Sequence, residues 1–138
     1  MNVGVLLITH PGVATVLLNT ARNMLGQCFL QTAILEVPLD APLDDIKQKA
    51  LAAITKLDQG DGVLLLCDIY GSTPCNVAKA LDNPALNNQC KVRLVAGVNL
   101  PMLVRVLNYV DLDLNELANK AASGGRDGII LSEEKIHA

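Results

Sequence analysis

Val63-Leu64-Leu65-Leu66-Cys67 carries no polar side chain, and no other stretch constrains the fold as tightly. Successive side chains of a strand face opposite sides, so a strand without polar alternation must be covered on both faces. Such strands belong to largely parallel sheets with helices packed above and below. The rest of the chain supplies the other parts. Val3–Ile8, Gln31–Val37 and Val92–Ala96 read as three further strands. Between them lie stretches with apolar residues three and four apart: Ala14–Leu25, Leu43–Leu57 and Pro74–Leu81, then Leu100–Val110 and Leu114–Ala122 after the fourth strand. Pro42, Asp44 and Asp45 mark the start of the clearest helix, and Gly60 and Gly62 its end. Gly124-Gly125 is expected to break the last helix, leaving Gly128–Leu131 as a short terminal strand. Strands alternating with helices predict an α/β fold with right-handed crossovers.

The length of 138 residues fits a single domain, expected over residues 1–131 with a polar tail at 132–138. Only Phe29, Tyr70 and Tyr109 are aromatic, so the core is built from aliphatic side chains and no platform exists for stacking bases. A net charge of -3 gives no basic footprint for nucleic acid. No apolar run is long enough to span a bilayer, and the N-terminus lacks the pattern of a signal peptide. A cytoplasmic protein with no direct membrane insertion is the expectation. The four cysteines, Cys28, Cys67, Cys75 and Cys90, form no C-x-x-C pair and are expected to be reduced, packed thiols. A zinc site needs histidine partners, and only His10 lies in the body of the chain, so neither metal nor cofactor is expected. Nucleotide-binding glycine motifs are absent from the sequence.

Open α/β sheets bind ligands beyond the carboxyl ends of their strands, where strand order reverses. Strand one ends in Thr9-His10, strand three in Asp68-Ile69-Tyr70-Gly71-Ser72-Thr73-Pro74, and strand four in Gly97-Val98-Asn99. In a 2-1-3-4 order His10 and Asp68 meet. A carboxylate on one imidazole nitrogen fixes the ring and leaves the other nitrogen as a directed lone pair, which makes a nucleophile. Thr73 before Pro74 reads as a helix cap. With Gly71 and Ser72 it would form an anion site at a helix N-terminus. A nucleophilic histidine beside an anion site suits phosphoryl transfer. Taken singly, each piece also has a structural reading. A strand-end histidine can satisfy a backbone group, Asp68 can form a local turn, and Asn99 can cap the next helix. Thr9 and Asn99 are the remaining candidates for the pocket.

"VGVLLITH", "GDGVLLLCDIYGSTPCNVA" and "VAGVNLPML" together resemble the mannose-type EIIA domain of the bacterial phosphoenolpyruvate-dependent phosphotransferase system, a likeness of layout from Met1 to about Leu131. The resemblance implies a three-layer α/β sandwich of 2-1-3-4 order. It also implies a homodimer that exchanges a C-terminal edge strand, here Gly128–Leu131. His10 would accept a phosphoryl group from phospho-HPr and pass it to an EIIB partner. Asp68 would orient His10, and the Gly71-Ser72-Thr73 segment would hold the phosphate. Two further readings stay open: a free-standing regulatory EIIA whose phosphorylation state controls binding to other proteins, and the related subunit that feeds dihydroxyacetone kinase. A phosphohistidine hydrolase or mutase fits poorly, because no arginine adjoins His10 and His137 lies in the tail. Pro11 departs from the family, which usually has glycine directly after the histidine; proline fixes φ and removes a donor.

Overall fold

In a computed structural model, which describes residues 2–83, 87 and 89–133, the chain forms four strands and five helices. They are β1 (Gly4–Thr9), α1 (Val13–Leu25), β2 (Thr32–Glu36), α2 (Leu43–Leu57), β3 (Val63–Cys67), α3 (Thr73–Leu81), β4 (Val92–Ala96), α4 (Leu100–Leu107) and α5 (Leu114–Asp127). The sheet is parallel throughout, in the order β2-β1-β3-β4. Strand order therefore reverses between β1 and β3, and the register Ile8↔Cys67 places their carboxyl ends side by side.

Every residue of β1 and β3 is buried. Their side chains divide by strict alternation. Val5, Leu7, Leu64 and Leu66 face a layer made by α1, α4 and α5, in company with Leu18, Leu103 and Leu117. Leu6, Ile8, Val63 and Leu65 face the opposite layer, against Ile46 and Ile54 of α2 and Val77 of α3. The result is the expected three-layer sandwich, and the apolar VLLLC run is its centre. Gly4 shows how closely the layers meet, since a Cβ there would lie 2.8 Å from the Leu57 Cβ.

Three expectations need correction. The pair Gly124-Gly125 does not end α5, which runs through both to Asp127. The glycines are there for close approach: a Cβ on Gly124 would fall 2.8 Å from Arg105 Cδ, and one on Gly125 2.9 Å from Met102 Cε, both on α4. Gly128–Leu131 forms no strand within the chain. Gly128 caps α5, and Ile129, Ile130 and Leu131 are exposed. Nor are all four cysteines free: Cys67 and Cys75 form a disulfide across eight residues, leaving Cys28 and Cys90 as thiols. Spacing alone missed that pair, because the loop between β3 and α3 doubles back and brings their Cα atoms to 5.3 Å. His137 lies outside the described residues, as does most of the 132–138 tail.

Candidate functional site

The reversal point between β1 and β3 is where the two strand-end polar residues meet. Asp68 Oδ2 accepts two hydrogen bonds from one residue: the backbone N–H of His10 at 3.0 Å and its ring Nδ1 at 2.8 Å. The other carboxylate oxygen accepts the N–H of Ile69 at 3.1 Å. Burial would push the Asp68 pKa up, but the hydrogen bonds from His10 outweigh it and hold the carboxyl below its ordinary range. Asp68 is therefore ionised near neutrality and can only accept, so Nδ1 must carry the proton. Nε2 is left as the free lone pair, on a ring whose side chain is one-third exposed.

The loop that carries His10 is closed from both sides. Thr9 is fully buried; its hydroxyl donates to the His10 carbonyl at 2.9 Å and accepts the Ala14 N–H at 3.0 Å. Gly12 turns the chain into α1 with φ at +84°, a conformation that favours glycine. Glu36, at the end of β2, accepts the Thr15 N–H at 3.0 Å. That bond, with others from the Thr15 hydroxyl and the Gly12 N–H, lowers the Glu36 pKa. The positive end of α1 thus already holds a carboxylate. Sequence reasoning missed Glu36, although the 2-1-3-4 order with Thr9 opposite Glu36 would have placed it there.

The positive end of α3 differs. Its N-cap is Ser72, not Thr73 as expected, with Thr73 as the first helical residue and Pro74 the second. The Ser72 hydroxyl makes no cap; it donates to the Ile69 carbonyl at 2.6 Å. The first backbone bond of the helix runs from the Asn76 N–H to the Ser72 carbonyl at 2.8 Å. Backbone donors ahead of Asn76 have no partner within the helix, which is the usual condition for binding an anion. Gly71 makes the preceding turn at a φ of +86°. Tyr70 is exposed beside it and holds Lys79, whose Nζ lies 3.1 Å from the phenol oxygen.

Asn99 does not join this group. It accepts the Met102 N–H at 2.9 Å as the cap of α4 and donates to the Gly125 carbonyl at 3.1 Å. Its polar atoms tie α4 to α5. Among the described residues no three His, Cys, Asp or Glu side chains cluster as metal ligands would, and no helix is long and apolar enough to cross a membrane.

Comparison with known proteins agrees with this layout. Residues 4–122 match the EIIA-man family, described as the PTS system fructose IIA component. The PTS system mannose-specific EIIAB component of Escherichia coli (strain K12) is 34% identical over 131 residues, or 94% of this chain and 39% of that protein. The chain therefore spans about two-fifths of that relative. The PTS system fructose-specific EIIA component of Bacillus subtilis (strain 168) is 27% identical over 95 residues, 68% of this chain and 62% of the relative. The mannose/sorbose specific IIA subunit of Enterococcus faecalis superposes with a TM-score of 0.84 over the whole of both chains at 24% identity, a likeness of fold.

Proposed function

Because the chain belongs to the mannose-type EIIA family of the phosphotransferase system, we propose that it is a phosphocarrier. It takes a phosphoryl group from phospho-HPr onto His10 Nε2 and passes it to an EIIB partner in the cytoplasm, in the service of sugar uptake. The observation that carries this reading is the pair of bonds from His10 to Asp68. With Nδ1–H held by the carboxylate, attack through Nε2 breaks the phosphorus–nitrogen bond of the donor and forms one to His10, with no proton exchanged. The ring gains positive character in the transfer, and the Asp68 carboxylate stabilises it. The Thr73 hydroxyl and the N–H groups in the first turn of α3 face the phosphoryl oxygens after the Gly71 turn, and Ser72 braces that turn through its bonds to the Ile69 carbonyl. Positioning and charge stabilisation of this kind are most of what phosphoryl transfer asks of a protein. Thr9 and Glu36 hold the His10 loop in place.

A homodimer fits the same reading. Among the described residues no strand lies beside the edge of β4 away from β3, and Ile129, Ile130 and Leu131 follow α5 with three-quarters or more of their surface exposed. Exchanged between two copies, that segment would cover the edge.

The test is incubation with phosphoenolpyruvate, enzyme I and HPr, followed by detection of an acid-labile, base-stable phosphate. Wild type should label at His10, and His10→Ala should not. An unlabelled wild type, or a variant labelled equally well, removes the reading. Onward transfer to EIIB domains of the same organism separates a carrier from a purely regulatory EIIA.

A further inference from the structure

We propose that Cys67 and Cys75 are a reversible oxidation site whose state sets the placement of the Ser72-Thr73 segment, and through it the rate at which His10 accepts phosphoryl. The coupling to His10 rests on the phosphocarrier reading; the oxidation site itself does not. The two cysteines bracket the candidate site. Cys67 is the last residue of β3 and directly precedes Asp68. Cys75 stands in the first turn of α3, directly after Thr73-Pro74. Their disulfide closes a ring that contains Asp68, Gly71, Ser72 and Thr73.

The ends of that ring are not equally held. The Cys67 carbonyl accepts the Gly97 and Val98 N–H groups, each at 2.9 Å, and the residue is paired with Ile8 in the sheet. Cys75 is held by a helix start whose cap side chain makes no capping bond. Both cysteines are almost fully buried, and two thiols need more room than one covalent link. Reduction therefore displaces the side that can move, the first turn of α3. Asp68 and its bonds to His10 stay with the sheet. A shifted anion site beside an unshifted nucleophile slows transfer, since preorganised donors act only where the charge develops.

The redox step is thiol–disulfide exchange with a low-molecular-weight disulfide. Cys75 reacts first, because it sits on the helix turn that moves when the pair is reduced, whereas Cys67 is fixed in the sheet. It attacks one sulfur of the reagent and releases one thiolate; Cys67 gives up its proton, attacks the mixed disulfide and releases the second. The net change is two protein thiols oxidised and one reagent disulfide reduced to two thiols.

The native chain is equilibrated in buffers of graded reduced-to-oxidised glutathione ratio. Paired and free cysteines are then counted by differential alkylation and mass spectrometry. The expected result is a Cys67–Cys75 disulfide that forms and reopens reversibly while Cys28 stays free. Failure of the pair to form overturns the proposal. Fully oxidised and fully reduced protein are next compared in the phosphoenolpyruvate, enzyme I and HPr assay. The reduced form should accept phosphoryl at least about fivefold more slowly, the lower end of ordinary coupling between sites. Equal rates overturn the coupling. Cys75→Ala, or Cys67→Ala if the first folds poorly, should be slow in both buffers, and a variant that keeps the difference excludes the pair as sensor. Amide hydrogen exchange at Asn76 is an independent readout: it should be faster in the reduced form, and equal exchange refutes the placement argument. If neither form labels His10, the phosphocarrier reading fails, and the exchange measurement alone decides the redox site.

Discussion

Replacing Asp68 separates the charge of its carboxylate from its shape. In Asp68→Asn the amide oxygen can stay where Oδ2 accepts both bonds from His10, at 3.0 and 2.8 Å. The amide nitrogen then faces the Ile69 N–H, a donor against a donor, but that site is exposed and water can satisfy it. What is lost is the charge. Hydrogen bonds to ionised groups contribute about 1.5–3 kcal/mol against about 0.5–1.5 for neutral ones, so the loss is about 1–1.5 kcal/mol, or about tenfold in rate. Asp68→Ala goes further. It removes both bonds, frees the ring to take either tautomer, and leaves the part-buried His10 N–H unpaired, which alone costs about 1–3 kcal/mol. The combined loss of about 3–4 kcal/mol corresponds to a rate lower by about 10² to 10³. The assay is the initial rate of phosphoryl acceptance from phospho-HPr, with circular dichroism melts to confirm folding. Equal rates for the two variants would refute the division into charge and geometry. Wild-type rates in both would remove Asp68 from the mechanism.

Acid stability should follow the same residue. Because the folded Asp68 pKa lies below its ordinary value, its contribution is complete above about pH 4 and is lost as the pH falls through the folded value. Denaturant melts between pH 6 and pH 2 should therefore show a shallower acid loss in Asp68→Asn than in wild type, and parallel curves would contradict the assignment. Gly4→Ala places a methyl 2.8 Å from the Leu57 Cβ and 3.1 Å from its carbonyl oxygen. Overpacking of that kind costs about 1–3 kcal/mol, seen as a lower denaturant midpoint at unchanged slope. Leu65→Ala, at a fully buried position of β3, should cost about 2–5 kcal/mol in the same experiment. Deleting the chain after Gly128 should convert the proposed dimer to a monomer in light scattering without unfolding it; an unchanged mass would refute the exchange.

The sheet was legible because burial on both faces leaves a mark in composition that few other arrangements leave. VLLLC could only be central, and the pairing of β1 with β3 then brought Thr9-His10 and Asp68 to one edge. What escaped reading depended on distances that a one-dimensional pattern does not carry. Glycine at Gly124-Gly125 looks the same whether it breaks a helix or lets another helix approach; only the position of Arg105 and Met102 on α4 decides. Cys67 and Cys75 looked like packing residues because their separation of eight matches no short cysteine motif, yet a strand, a tight turn and one helical turn fold that separation into contact. Glu36 was hidden for a related reason. A carboxylate ending a half-buried edge strand is ordinary until the strand beside it is known to end in a helix whose first donors need an acceptor. Its position also bears on the question Pro11 raises. With the start of α1 already occupied by Glu36 and Thr9, the N–H that Pro11 lacks is one donor fewer only at the helix end that already holds a carboxylate. Proline there leaves the donors of α3 untouched. The substitution of proline for glycine after the histidine is therefore compatible with phosphoryl binding, provided the anion is held from the α3 side.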